Sequence, residues 1–419
     1  MRKIVLGLAA MALIFTSCSK DEVTGVNDQN PDVIGFFSST SRATINNLAT
    51  LQGSTGFKVY GTSAATPAAW HTNVNGLNNY AFSSGAWGWA GSNGMWPTVA
   101  TGYPMTFYAM YPLAPAGVVP TATPSATPVL TGVVTIQSTA ATQVDLLAAK
   151  VSTATKPGDG KLPLTFKHIL SKVNFGIIAG NAKTVIVQAI GVKNVSSVAT
   201  YNYVAETWGT PGTDASFDYF RNTATPFSTL GVSDETTVAP IYTGTPAASA
   251  HLMLMPQTHT TWNKTATALT SGSYVEVIYR VTAAGSPNNI GYTAAADYLK
   301  DYTTFANDKS WGSYTGLGTT AGKYNGKLFV KVGFPMDATS FTWAPGKGYT
   351  YNIGIGTLGS SNGYYTDETY YDENGVDTGI EIVGPDGKPV KPGDPVSDGI
   401  IHFLVNVTDW DDLTPVVLP

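Results

Sequence analysis

Residues 32–42 read DVIGFFSSTSR. Val33, Ile34, Phe36 and Phe37 form a compact apolar run, and the serines and threonine behind them end it. Such a run, closed by small polar residues, reads as one short strand. Arg42 follows immediately, in a chain whose only other arginines are Arg2, Arg221 and Arg280. Two questions follow: which sheet takes up the strand, and why a scarce cation stands just behind it.

Downstream, the chain answers the first question with more strands. FKVYGT begins one at Phe57, and NYAFSSGAWGWAGSNGMWP (79–97), YPMTFYAMYPL (103–113), VLTGVVTIQS (129–138), QVDLLAAKV (143–151) and LPLTFKHILSKVNFGII (162–178) continue the series. Gly, Pro and Asn punctuate them at short intervals, the pattern of an antiparallel β-sandwich. A second series runs from TVIVQAIGVKNV (184–195) through AHLMLMPQ, SYVEVIYRVTA, GKLFVKVGF and YTYNIGIGTL to GIIHFLVNVTDW (399–410). Residues 43–51 fit a brief helical turn. Residues 294–306, AAADYLKDYTTFA, fit either a helix of two or three turns or a polar insertion loop. Pro385, Pro389, Pro392 and Pro395 make residues 384–399 a loop.

Upstream, Arg2 and Lys3 precede IVLGLAAMALIF, too short to span a bilayer as a helix but suited to a signal-peptide core. The core ends in FTSC. A cysteine after small residues at that place resembles a bacterial lipobox, which makes residues 1–17 a lipoprotein signal peptide and Cys18 the acylated first residue of the exported chain. Residues 18–31 read as a tether. Within it, Lys20, Asp21 and Glu22 resemble the acidic signal that sends Bacteroidales lipoproteins to the outer face of the outer membrane. Cys18 is the only cysteine, so no disulfide helps the fold and stability must come from burial.

Composition agrees with sheets. The 419 residues suffice for two or three domains, and only 12% are charged against 43% hydrophobic, with Gly, Thr, Ser, Ala, Tyr and Asn filling the difference. Threonine and tyrosine suit half-buried sheet faces, whereas helical bundles need Glu, Lys and Leu in quantity. A net charge of −5 without clustered cations argues against nucleic acid.

Motifs for catalysis or metal binding are absent from the sequence. His71, His168, His251, His259 and His402 have no metal-ligand spacing and read as sheet residues. TKPGDGK (155–161) lacks the phosphate-loop pattern, and no G-x-S-x-G elbow occurs. Asp372, Asn374 and Asp377 in DENGVD partly resemble a calcium loop, but Asn-Gly is the stronger hairpin signal. Trp87, Trp89, Trp96 and Tyr103 invite two readings, a sugar-stacking platform or a buried core. No enzyme and no cofactor are expected.

The lipobox, the arginine behind a first strand, FKVYG, YPMTFYAMYP, LPLTFKHILSKVNFGI, LMLMPQ, WAPGKGYTYNI and FLVNVTDW occur in an order that resembles the fimbrillin-like proteins of Bacteroidales, subunits of type V pili. The resemblance implies an all-β chain of two tandem transthyretin-like β-sandwiches, expected here at 32–183 and 184–419. It also implies export as a lipoprotein and cleavage by a trypsin-like protease between Arg42 and Ala43. Residues 32–42, with Val33, Ile34, Phe36 and Phe37, would then be the removable first strand. A strand from another fimbrial subunit would replace it and build an adhesive cell-surface polymer.

Elementary physics fits that implication, because a sandwich short of one strand presents unpaired N–H and C=O groups beside an apolar trough. Ile401, Phe403, Val405 and Val407 alternate as a terminal strand, and Val416, Val417 and Leu418 follow it; both segments are donor candidates. Pro415 and Pro419 keep the second one short. Two other readings stand beside the polymer subunit: a surface lipoprotein that binds polysaccharide, and a fimbrial tip or anchor subunit. A host or bacterial surface glycan or protein is the expected adhesion partner.

Overall fold

A computed structural model describes residues 32–38, 56–63, 78–83, 86–89, 94–98, 100–112, 118–123, 129–179, 183–221, 227–230, 239–240, 251–264, 272–283, 328–336, 341–355, 363–372, 374–382, 388–396 and 403–409. The signal peptide, tether, Cys18, Arg42, Ala43, the two helical expectations, Ile401 and residues 416–418 lie outside the described residues.

The chain is all-β. Among the described residues, the strands in chain order begin with β1 (Gly35–Ser38), β2 (Phe57–Ser63), β3 (Asn78–Ser83), β4 (Ala86–Trp89), β5 (Met105–Tyr111), β6 (Val118–Thr123), β7 (Val129–Thr135), β8 (Leu147–Thr153), β9 (Lys161–Leu164), β10 (Lys167–His168), β11 (Ser171–Ala179) and the 20-residue β12 (Lys183–Asn202). The remaining strands are β13 (Thr207–Trp208), β14 (Gly212–Arg221), β15 (Phe227–Leu230), β16 (Ala239–Pro240), β17 (Leu252–Leu254), β18 (Tyr274–Ala283), β19 (Val330–Pro335), β20 (Lys347–Ile355), β21 (Tyr364–Tyr365), β22 (Thr369–Tyr371), β23 (Asp377–Glu381) and β24 (Phe403–Asp409).

A six-stranded antiparallel sheet, in the order β10-β8-β5-β2-β3-β4, dominates the N-terminal part. Both of its faces are covered, which explains the nearly unbroken apolar run of β5. Met105, Phe107 and Ala109 turn toward the layer made by β1 and β9, while Tyr108 and Met110 turn into the main core. The same division separates Phe57 and Val59 from Tyr60 on β2. A strand buried on both faces loses its polar alternation, and its sequence becomes continuous.

Two further sheets, of nine and five strands, face each other across the main core. One follows the order β21-β19-β18-β12-β7-β6, with β13, β14 and β15 also paired to β12; the other runs β16-β11-β20-β24, with β17 on β11. Val185, Val187, Ile190 and Val192 of β12 and Val275, Val277 and Tyr279 of β18 share that core with Val173, Phe175 and Ile177 of β11 and Tyr351 and Ile353 of β20. β12 can serve so many partners because register shifts between Ile190 and Gly191, and again between Val192 and Val195, bend it away from a single flat ladder. Gly191 sits at the first shift, where an added Cβ would come within 2.5 Å of the Phe217 carbonyl oxygen. Only glycine lets the two backbones approach that closely.

Sheet membership crosses the division expected between residues 183 and 184. The β6–β7 hairpin pairs with β12 through Val198↔Thr135 to Asn202↔Thr131, and β11 runs parallel to β20 from Lys172↔Gly348 to Ala179↔Ile355. Period-two patterning identifies strands but carries no information about which distant strand completes the ladder.

Candidate functional site

The segment 32–38 lies between residues 94–96 and β9. β1 pairs in parallel with β9 from Gly35↔Lys161 to Ser38↔Leu164, and Val33 forms an antiparallel bridge with Met95. The Trp96 N–H donates to the Asp32 carbonyl at 2.9 Å, the Ile34 N–H to the Gly94 carbonyl at 2.8 Å, and the Gly35 N–H to the Gly160 carbonyl at 3.0 Å. Side chains complete the accounting that a four-residue parallel ribbon cannot. Trp89 Nε1 donates to the Ile34 carbonyl at 2.8 Å, and the Phe36 N–H donates to Tyr80 Oη at 3.2 Å.

The side chains of this segment belong to the core. Val33 is 6% exposed, Ile34 0% and Phe36 4%. The Phe36 ring meets three others edge-on: Tyr80 at 5.3 Å and 85°, Trp89 at 5.7 Å and 70°, and Phe107 at 5.3 Å and 73°. Trp96 closes the neighbouring wall, donating Nε1 to the Gly160 carbonyl at 3.0 Å and stacking on Tyr103. At roughly 1.5–3 kcal/mol per buried aliphatic or aromatic side chain, the three apolar residues contribute roughly 5–9 kcal/mol. An exposed Asp32–Lys156 ion pair adds little to this.

Three of the four aromatic residues pack with this core: Trp96 is buried in it, Trp89 meets Phe36 and Tyr80 while half-buried, and Tyr103, also half-buried, stacks on Trp96. The Trp87 side chain lies outside the described residues. Tyr80, the residue that both caps the backbone and packs on Phe36, carried no signal in the sequence beyond its place in an alternating strand. Phe37 stands opposite Pro163, its side chain outside the described residues.

A model of the fimbrillin-like family matches residues 41–368. The chain belongs to the fimbrillin-like family. As a family member it is a fimbrial or adhesin-type subunit of the cell surface. Among solved structures, a candidate cell adhesion protein from Bacteroides uniformis is 14% identical, with 91% of this chain and 99% of that one covered at a TM-score of 0.38. One from Bacteroides eggerthii is 12% identical over 90% and 98%, at 0.39. The tip fimbrial protein Mfa3 from Porphyromonas gingivalis, truncated at its C-terminus, is 12% identical over 90% and 99%, at 0.33. Likeness at this level carries no residue roles with it. No curated protein matches the chain.

In this fimbrillin-like chain the C-terminal strand is already engaged. β24 pairs antiparallel with β20, placing Phe403, Val405 and Val407 opposite Ile353, Tyr351 and Tyr349, and it stands at the end of the described strand order. The other sequence candidates separate by environment. In DENGVD, Asp372 Oδ1 accepts the N–H groups of Asn374 and Val376, both at 2.8 Å, beneath the β22–β23 hairpin. That carboxylate oxygen is occupied by its own turn, as the hairpin reading expects. Among the described residues, no three His, Cys, Asp or Glu side chains cluster as metal ligands. His168 pairs with Asp145, and His259 is buried against Trp343 with its ring pKa lowered to about 4 by desolvation.

Proposed function

We propose that this fimbrillin-like chain is a structural subunit of a type V pilus that reaches the outer membrane as a lipoprotein acylated at Cys18. A trypsin-like protease cuts between Arg42 and Ala43, residues 32–42 leave, and a strand of another fimbrial subunit takes their place. The polymer so formed mediates adhesion. Residues 401–407 and 416–418 are the segments of this chain that would serve as donors in turn.

One observation carries the reading. The segment just before Arg42 supplies Ile34 and Phe36 to the interior, and the rest of its layer follows Arg42 in sequence. One cut at Arg42 would therefore turn a core strand into a separable ligand. The groove left behind would expose the Gly94 and Gly160 carbonyls and the Trp89 indole N–H beside an apolar floor, a template for strand addition.

Mild trypsin treatment of the purified protein tests this. The expected result is a single defined cut after Arg42 followed by concentration-dependent oligomers, with Arg42→Ala resisting both. An Arg42→Ala protein that still polymerises on cells would remove the cleavage step.

A further inference from the structure

We infer that the groove around residues 32–38 selects its occupant by one aromatic ring at the position of Phe36. The incoming segment is then one that carries an aromatic residue two places after a branched aliphatic, with glycine or a very small residue between. This rests on the strand-replacement reading above and specifies its partner.

The groove's backbone contacts cannot discriminate among sequences. The Gly94 and Gly160 carbonyls, the β9 ladder, Trp89 Nε1 and Tyr80 Oη bind main-chain groups that every residue except proline supplies. Selection must come from the side-chain positions. Ile34 fills an apolar site, whereas Phe36 is enclosed by Tyr80, Trp89 and Phe107, all at edge-to-face angles. Edge-to-face pairs carry stabilisation beyond the area they bury, because the positive ring edge meets the negative ring face. An aliphatic side chain there keeps part of the burial and loses the ring pairing, and a small one leaves a cavity. At Gly35 an added Cβ would meet the Lys161 Cγ at 3.0 Å, so a side chain must push that lysine stem aside.

Set against this pattern, residues 411–419 of the chain itself, DDLTPVVLP, carry no aromatic ring: their apolar side chains are Leu413, Val416, Val417 and Leu418, beside two aspartates, a threonine and two prolines. They fit the groove poorly. A ring-bearing segment from a different subunit is the occupant the walls are shaped for.

The test uses the full-length protein after trypsin cleavage at Arg42, incubated with fluorescent peptides and read by polarisation and native mass spectrometry. The reference peptide carries residues 32–40 with Phe37→Ser, so that a one-residue slip cannot bring a second ring into the box. Its Phe36→Leu and Phe36→Ala versions and a peptide of residues 411–419 complete the set. The reference should bind one to one, the Leu version and the 411–419 peptide about 10-fold more weakly, and the Ala version about 100-fold more weakly. Equal binding of the reference and the Leu version, or stronger binding of 411–419, overturns aromatic selection and leaves strand replacement standing. Uptake of no peptide overturns both.

Discussion

Tyr80 holds Phe36 twice: its hydroxyl oxygen accepts the Phe36 N–H at 3.2 Å, and its ring meets the Phe36 ring edge-on at 5.3 Å. The two residues are 44 apart in sequence, so a single side chain of β3 fixes both the backbone and the side chain of the first strand. Tyr80→Phe removes only the acceptor and leaves a buried N–H without a partner. The expected loss is about 1–2 kcal/mol in chemical denaturation. Tyr80→Ala also opens a cavity and should lose about 3–5 kcal/mol. An unchanged stability in Tyr80→Phe would mean that the hydroxyl contact contributes nothing, and equal losses for the two variants would mean that the ring contributes nothing beyond it.

Phe36→Ala should destabilise the uncleaved protein by about 3–5 kcal/mol, as for other buried phenylalanines. Gly35→Ala should cost less than about 1 kcal/mol, because the atom it meets is the flexible stem of Lys161. Urea midpoints of the two variants, measured side by side, check the order.

His259 makes stability depend on pH. Ser273 Oγ donates to the Asn194 carbonyl at 2.7 Å, so its oxygen faces the His259 Nδ1–H at 3.3 Å, and Nε2 is buried without a hydrogen-bond partner. Burial lowers the ring pKa from 6.5 to about 4. Between those values the unfolded chain binds the extra proton and the folded chain does not. This contribution is therefore fully present above about pH 6.5 and is lost as pH falls toward about 4, up to about 3 kcal/mol in all. In His259→Gln the slope of melting temperature against pH over that interval should flatten; an unchanged slope would assign it to other groups.

Asp372 is 2% exposed and caps its own turn through two N–H acceptances. Asp372→Ala should lose about 2 kcal/mol. Millimolar calcium should leave the melting temperature of the unaltered protein where it was; a rise of several degrees would restore the metal reading of DENGVD.

The strands were legible where their environment is simple. Phe57 begins β2 as its sequence indicates, and the Asn-Gly of 374–375 lies in the expected hairpin. Several strands escaped notice, β6 and β14 among them. β6, VVPTAT, carries Pro120 and sits at the edge of its sheet, where a missing N–H is tolerated. β14, GTDASFDYFR, is mostly exposed or half-buried, so hydrophobic alternation gives little sign of it. The run 162–178 reads as one apolar stretch but divides into β9, β10 and β11, which enter three different sheets.

The sequence by itself determined the all-β class, the short apolar strand ahead of Arg42 and the family resemblance, because side-chain alternation and turn residues are local properties. The tertiary structure decided the partners: β1 parallel to β9, β11 beside β20, and the rings of Tyr80, Trp89 and Phe107 gathered around Phe36. Each of those choices balances loop-closure entropy against burial summed over residues far apart in the chain, and no local window contains both sides of that balance.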